Sequence, residues 1–168
     1  MVLENQKWDK LLEVIFEYPN KEFTIREISK LTKIPISSIQ RYLKDLKEKE
    51  IINENNQLII NNYNKFLKTN FMINRLYKNK LIDHLNNNFN PSLIIIFGSV
   101  RKGEYDKDSD VDIFIESTKN IKIDLSNFEK KLNHKIQLFI YKDIKELPNN
   151  LFNNVINGIK LAGYLKIK

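Results

Sequence analysis

The sequence predicts an α+β fold, with a mainly helical N-terminal part and a small mixed β-sheet in the C-terminal part. Apolar residues recur at helical spacing through most of the first 90 residues. Runs typical of buried or alternating strands follow at 92–97, 109–115 and 135–140. All four glycines fall at or after position 98, so the N-terminal part makes its turns without glycine and the C-terminal part does not. These observations predict two domains joined by a helical segment.

The composition excludes several classes of protein and site. The chain has no cysteine, which removes disulfides, thiolate zinc sites and cysteine nucleophiles. The N-terminus lacks an apolar leader, and the longest apolar run, Leu93 to Phe97, is too short to span a bilayer. We therefore expect a cytoplasmic protein without a membrane contact. The net charge of +7 is compatible with a polyanionic partner or with plain solubility.

The N-terminal segment has the pattern of three helices and a hairpin. Apolar spacing predicts a first helix from Asn5 to Tyr18. Thr24 and Glu27 have capping-box spacing, and they start a second helix that we expect to bury Ile28 and Leu31. After a turn at 33–35, a third helix would be capped by Ser37. Residues 51–52 and 58–60 predict two short strands.

This order resembles a winged helix-turn-helix domain over residues 1–62. The run 36–46 is similar to the recognition helix of bacterial and archaeal transcription regulators, although Glu50 stands where such proteins usually have glycine. Four residues of that helix lie off its buried stripe and are candidates for contact with duplex DNA: Ser38, Gln40, Arg41 and Lys44. A solvated helix face, with Arg41 paired to Asp45, and a protein-binding module are the alternatives.

Residues 63–90 predict a helical connector, formed by one long or broken helix. They carry five basic side chains and one acidic side chain. We expect the basic residues on the solvated side of this helix: Lys65, Lys68, Arg75, Lys78 and Lys80.

Two short motifs after residue 90 carry chemistry. An apolar run ends at Gly98-Ser99, where glycine permits a sharp turn and a close approach of backbone amides to phosphate oxygens. Asp110 and Asp112 then alternate with apolar residues on a strand, so their carboxylates share one face. Like charges this close are costly without a cation, and magnesium is the natural occupant. The alternative is a polar turn followed by a strand with two surface aspartates.

Gly98-Ser99, followed at this spacing by Asp110-Val111-Asp112, resembles the signature of the polymerase-β-type nucleotidyltransferase superfamily. Residues 91–168 are similar to its minimal members, including Gly103 and the segment from Leu147 to Gly163, which follows the family's closing helix. The resemblance implies transfer of a nucleoside monophosphate, AMP from ATP, to a hydroxyl in the presence of Mg²⁺. Asp110 and Asp112 would hold the metal, and Gly98 and Ser99 the phosphates.

The resemblance also implies partners. Arg101 and Lys102 would assist nucleotide binding, with a solvated loop as the alternative. Many minimal nucleotidyltransferases act as antitoxins of a HEPN-type toxin, some by adenylylating it, which makes such a toxin a candidate partner. The alternative function is a DNA-binding transcription regulator whose nucleotide-binding domain is catalytically impaired.

The reason for that alternative is Gln137. The family usually has a third carboxylate on a later strand, and the matching strand here is 135–140. Gln137 would share a face with Phe139, at about the third acidic position. An amide binds a metal weakly and cannot act as a general base. Transfer would then be slow, or Glu116 or Asp124 would substitute, or the domain would only bind nucleotide.

Overall fold

Eight α-helices, a short 3-10 helix and four strands follow one another along residues 6–166, which are the residues that this computed structural model describes. They divide into two compact units, one ending at Lys65 and the other beginning at Phe66. Asn5, the predicted start of the first helix, lies outside the described residues. So do residue 1, where the first predicted domain begins, and residue 168, where the last one ends. The domain limits 1–62, 63–90 and 91–168 stay a prediction.

Three helices form the core of the first unit: α1 (Gln6–Glu17), α2 (Ile25–Thr32) and α3 (Ile36–Glu48). The predicted capping box is present at the start of α2. The backbone N–H of Glu27 donates to the Thr24 hydroxyl at 3.2 Å, and the Glu27 carboxylate accepts from the Thr24 backbone N–H at 2.8 Å. This pair satisfies two backbone donors that the helix itself leaves without partners.

Two predicted details of these helices are wrong. Leu31 is 52% exposed, and Thr32 is buried instead, with its hydroxyl donating to the carbonyl of Ile28 at 2.7 Å. The short helix ends there, and the buried Ile34 packs into the core after the turn. Pro35, not Ser37, is the N-cap residue of α3, and it makes no side-chain capping bond. The N-cap of α3 therefore lies two residues earlier than we predict, and the helix begins at Ile36.

The predicted hairpin is reduced to a single β-bridge between Ile52 and Leu58. The Asn53 side chain closes the turn between them, because its oxygen accepts from the backbone N–H groups of Asn55 and Gln57 at 2.9 and 3.0 Å. Glu50 precedes this segment with a φ of 54°, in the left-handed region. That conformation favours glycine over a residue with a side chain.

The predicted connector is a broken helix. Helix α4 (Asn62–Lys78) begins in the first unit and continues into the second, and α5 (Leu81–Phe89) follows after Lys80, which has a left-handed φ of 63°. The expectation that Lys68 lies on the solvated side is wrong, because its side chain is 1% exposed. Lys68 lies one helical turn before the buried Met72 and two turns before Leu76, so it belongs to the core-facing stripe.

The second unit contains a mixed four-stranded sheet in the order β3-β2-β1-β4, as the predicted fold class requires. The middle strands β1 (Leu93–Ile96) and β2 (Val111–Glu116) are antiparallel, β3 (Ile136–Tyr141) is parallel to β2, and β4 (Ile159–Gly163) is antiparallel to β1. The sequence patterns do not predict β4. The other elements are α6 (Gly98–Lys102), α7 (Ser126–Leu132), the 3-10 helix (Ile144–Glu146) and α8 (Asn149–Ile156).

One face of this sheet is covered along only part of its length. Buried side chains of β1 and β2 pack there against residues of the 3-10 helix, of the segment after it and of α8. The cluster includes Leu93, Ile95, Phe114, Ile144, Leu147 and Val155. Asp112 precedes Phe114 by two residues on the same face of β2. The apolar cover therefore ends next to the aspartates, which remain accessible at the start of β2. Within residues 6–166, none of the helices has the length and apolar character that crossing a membrane requires.

Candidate functional site

The end of β1 makes a sharp turn. Phe97 is extended, and Gly98 then has a φ of 68°, after which α6 begins directly. Gly103 ends this five-residue helix, again in the left-handed region, with a φ of 66°. Ser99 is half-buried in the first turn of α6, and Arg101 and Lys102 are exposed in its last turn. The chain thus passes from a fully buried strand into a short helix that begins and ends with a glycine of left-handed φ.

The loop before β2 is fixed by its own polar groups. The Asp106 carboxylate accepts from the Ser109 hydroxyl at 2.8 Å and from the Asp108 backbone N–H at 3.1 Å. The Ser109 hydroxyl in turn accepts from the backbone N–H of Asp106 at 3.0 Å. Such reciprocal bonds hold a turn without help from glycine. They fix the direction in which the chain enters β2 and therefore the position of Asp110.

Gly98 and Asp112 are in direct proximity. The backbone N–H of Phe97 donates to the carbonyl oxygen of Asp112 at 3.1 Å, which brings the end of β1 beside the start of β2. A Cβ atom at Gly98 would overlap the carboxylate oxygen Oδ2 of Asp112. The position therefore needs glycine both for its left-handed φ and for space. The two predicted motifs, Gly98-Ser99 and Asp110-Val111-Asp112, meet at this point.

The carboxylates differ in environment. Asp110 is exposed at the end of the loop, whereas Asp112 is half-buried on β2. Burial raises the pKa of the Asp112 carboxyl above its ordinary value, and the negative charge of Asp110 raises it further. Both effects disfavour ionisation of Asp112 next to the charged Asp110. A divalent cation would relieve this repulsion, and carboxylate oxygens are the ligands that magnesium prefers.

Gln137 lies in register with Asp112 on the neighbouring parallel strand, so the two side chains share one face. Its amide is exposed. The possible substitute acids are engaged elsewhere. The Glu116 carboxylate accepts from the Ser92 hydroxyl and from the Ile144 backbone N–H, at the other end of β2. The Asp124 carboxylate accepts from the backbone N–H of Ser126 at 2.9 Å.

The donor set fits one divalent ion better than two. In the part of the chain that the structure describes, no group of three or more histidine, cysteine, aspartate or glutamate side chains is arranged to hold a metal. Asp110 and Asp112 offer two carboxylates, and Gln137 offers a neutral amide oxygen beside them. Magnesium is commonly held by one or two carboxylates together with substrate phosphates, which is what this set allows.

Helix α4 supports the turn from behind, a role that the sequence patterns do not reveal. The Thr69 hydroxyl donates to the carbonyl oxygen of Val100 at 2.8 Å, within α6. The buried ammonium group of Lys68 donates to the carbonyl oxygen of Tyr105 at 2.5 Å and lies 4.5 Å from the centre of the Tyr105 ring. These contacts hold the segment between Gly98 and Tyr105 at two points. The helical spacing of Lys68 with Met72 and Leu76 is the sequence signal that could have indicated the burial of Lys68.

A cavity of about 460 Å³ opens beside Asp110. Its walls are the loop before β2, the residues before β3 and one side of α7. The charged residues that line it are Lys107, Asp108, Asp110, Glu129, Lys130 and Lys135. Glu129 is held in place by the backbone N–H of Ile136 at 3.1 Å and by the Lys135 ammonium group at 3.1 Å. The cavity is therefore polar and carries both signs of charge.

The four predicted DNA-contacting residues lie on α3 in the first unit. Gln40, Arg41 and Lys44 are exposed, and Ser38 is half-buried. Lys44 pairs with Glu48 at 3.8 Å, and the Arg41 guanidinium lies 5.3 Å from the centre of the Tyr42 ring. Ile39, Leu43 and Leu46 are buried on the opposite stripe, so α3 presents a polar surface to solvent.

Comparison with known proteins bears on the second unit. A family model described as a nucleotidyltransferase domain matches residues 78–161, half of the chain. The match includes the Gly98 turn, both aspartates and Gln137. No curated protein and no solved structure matches the chain.

Proposed function

The chain belongs to the nucleotidyltransferase domain family, and on that premise we propose that it transfers AMP from ATP to a hydroxyl group in a Mg²⁺-dependent reaction. The observation that carries this proposal is the proximity of Gly98 to the Asp112 carboxylate. A phosphate at the Gly98 turn would lie beside the carboxylates of Asp110 and Asp112, which share one face at the start of β2. We assign Asp110 and Asp112 as metal ligands and Gly98 and Ser99 as phosphate-binding residues.

Each assigned residue has a separate task. Asp110 and Asp112 hold the ion, which would neutralise charge on the transferring and leaving phosphates. Gly98 lets the backbone approach the phosphates, because it has no side chain in the way. Ser99 adds a hydroxyl donor in the first turn of α6. Arg101 and Lys102 are exposed on the same short helix, and we propose that they interact with the outer phosphates.

For the first unit we propose a winged helix-turn-helix domain that binds duplex DNA. Support comes from the exposed polar surface of α3, where Gln40, Arg41 and Lys44 would reach base edges and phosphates, with Ser38 beside them. The left-handed φ of Glu50 also supports it, since the resembling proteins usually have glycine there. For the acceptor we propose a hydroxyl of a partner protein, with a HEPN-type toxin as the candidate that the family resemblance implies.

The register of Gln137 with Asp112 favours a second candidate function. With an amide at the third position, the domain would bind nucleotide but transfer it poorly. The chain would then act as a DNA-binding regulator that responds to nucleotide. We favour a slow enzyme, because both aspartates and the glycine turn are intact.

The two functions are separated by incubating the full chain with labelled ATP, Mg²⁺ and candidate acceptors. We expect covalent label on the acceptor with the wild-type protein and none with Asp110→Asn or Asp112→Asn. Asp83→Asn, on the exposed side of α5 and outside the cavity lining, is the matched control and should label normally. Binding of nucleotide without labelling of any acceptor favours the regulator. If ATP with Mg²⁺ fails to raise the melting temperature of the wild type, both candidates are wrong.

A further inference from the structure

The cavity beside Asp110 and the Gly98 turn lie on opposite sides of the candidate site. Gly98 follows β1, Lys135 precedes β3, and β2 with its aspartates lies between these two strands. Displacement at phosphorus proceeds roughly in line, with the attacking and leaving oxygens on opposite sides of the phosphorus atom. A triphosphate held at Gly98 would therefore leave the cavity side open to the attacking hydroxyl.

On the cavity side, Asp110 has a lysine as its neighbour. The backbone N–H of Val111 donates to the carbonyl oxygen of Lys135 at 2.8 Å, which continues the parallel ladder of β2 and β3 by one step. Lys135 consequently follows Asp110 in the ladder, as Gln137 pairs with Asp112. Lys135 is the residue before β3, and continuing the alternation of that strand would put it on the face of Gln137 and the aspartates.

The Lys135 ammonium group can leave its present partner at little cost. It pairs with Glu129 at 3.1 Å, but the Lys135 side chain is 77% exposed. An exposed ion pair of this kind contributes about 1 kcal/mol or less. Glu129 keeps its bond from the Ile136 backbone N–H when Lys135 moves. Both residues line the cavity together with Asp110, so the lysine is within the space that an acceptor would occupy.

The charges of this site oppose a second divalent ion. Two carboxylates balance one such ion, and a second would have to bind beside the positive charge of Lys135. Its neighbouring ligand on β3 would be the Gln137 amide, because the Glu129 carboxylate in the cavity already accepts from the Ile136 backbone N–H. In two-ion sites, one ion serves to orient the attacking oxygen and stabilise its developing charge. Here an ammonium group stands on the side from which that oxygen would approach.

We propose that the cavity receives the acceptor hydroxyl and that the Lys135 ammonium group supplies there the positive charge that a second divalent ion supplies in two-ion sites. This rests on the proposed nucleotidyl transfer. The acceptor oxygen forms a bond to the α-phosphorus, the bond from that phosphorus to the bridging oxygen breaks, and pyrophosphate leaves on the Gly98 side. The hydroxyl proton passes to water in the open cavity, while Lys135 stays protonated and stabilises the oxygen.

The first test counts ions. Mn²⁺ replaces Mg²⁺ as a spectroscopic probe, and the full chain is titrated in the presence of α,β-methylene ATP. We expect one Mn²⁺ per chain in the wild type and two in the double variant Lys135→Met/Gln137→Asp, because that variant gains a carboxylate and loses the competing charge. Two ions in the wild type overturn the proposal, and so does a double variant that still binds only one.

The second test measures turnover with water as the acceptor, as pyrophosphate release from ATP. We expect Lys135→Met to lower kcat by about 10-fold or more, with an unchanged Kd for the analogue, and Lys135→Arg to retain most of the rate. Lys131→Met, an exposed lysine on α7 that does not line the cavity, should match the wild type. Unchanged kcat in Lys135→Met, or nucleotide binding without any pyrophosphate release by the wild type, overturns the role of Lys135. A wild type that binds no nucleotide contradicts the proposed function itself.

Discussion

Gly98 and Asp112 approach each other so closely that a methyl group on Gly98 would occupy the position of an Asp112 carboxylate oxygen. We therefore predict that Gly98→Ala abolishes the rise in melting temperature that ATP and Mg²⁺ produce. The alanine must also adopt a left-handed φ, which costs about 1–2 kcal/mol of folding free energy. Gly103→Ala shares that backbone cost, since Gly103 has a φ of 66°, and it should keep the nucleotide response. Loss of the response in both variants would point to general destabilisation and against the site.

The raised pKa of Asp112 predicts that, without metal, Asp112→Asn gains stability relative to the wild type as the pH rises. Because the folded state favours the protonated carboxyl, Asp112 contributes a loss of stability as the pH rises from the ordinary pKa of an aspartate, about 4, through the raised folded value. In EDTA, Asp112→Asn should therefore gain on the wild type between pH 4 and 7, by about 1 kcal/mol or less because the side chain is only half-buried.

Melting curves at both pH values measure that difference, and ATP with Mg²⁺ provides the control. The order should reverse when both are added, because only the wild type retains the pair of carboxylates. A difference between variant and wild type that stays constant from pH 4 to pH 7 in EDTA contradicts the prediction.

Binding of the full chain to duplex DNA should weaken when either Arg41 or Lys44 is replaced by alanine. Each phosphate contact releases counterions, so removing one should lower the slope of log affinity against log salt concentration by about 1. Fluorescence anisotropy over a salt series gives this slope, with Lys10→Ala on the exposed side of α1 as the control. Absence of binding at low salt would identify the first unit as a protein-binding module instead.

Glu50→Gly should leave the protein equally stable or make it more stable by up to about 1 kcal/mol. A left-handed φ of 54° is strained for a residue with a side chain. The free energy of this strain exceeds the entropic cost of ordering glycine when the chain folds. Thermal melting measures the change, and Glu48→Gly, within the last turn of α3, should instead lower stability by about 1 kcal/mol. Destabilisation of similar size in both variants would show that Glu50 makes contacts which outweigh its backbone strain.

The part of the site that is local in sequence could be predicted best. Gly98-Ser99 follows β1 and Asp110-Val111-Asp112 begins β2, and these two strands are consecutive and antiparallel, so a short segment carries most of the geometry of the site. The alternation of residues 135–140 indicated which face Gln137 shares, and the register with Asp112 is a property of the folded sheet. The roles of these residues stay predictions.

Long-range packing explains what the sequence patterns missed. Lys68 has the chemistry of a surface residue, and contacts with a residue distant in sequence, the carbonyl and the ring of Tyr105, help to make its burial tolerable. Leu31 has the chemistry of a core residue, yet the end of α2 leaves it outside. Strand β4 has a mixed pattern because it is an edge strand, and it is identified by its pairing with β1.

That pairing has a consequence for the order in which the chain acquires its structure. β1 can pair with β2 after a short stretch of chain, whereas its other edge pairs with β4, which ends at Gly163. Contacts between residues distant in sequence form late, since closing a longer loop costs more entropy. During synthesis on the ribosome, the wholly apolar strand Leu93–Ile96 would therefore present an unpaired edge until the residues of β4 emerge. A nascent chain stalled before Gly163 would carry both aspartates and the glycine turn, together with a template for aggregation.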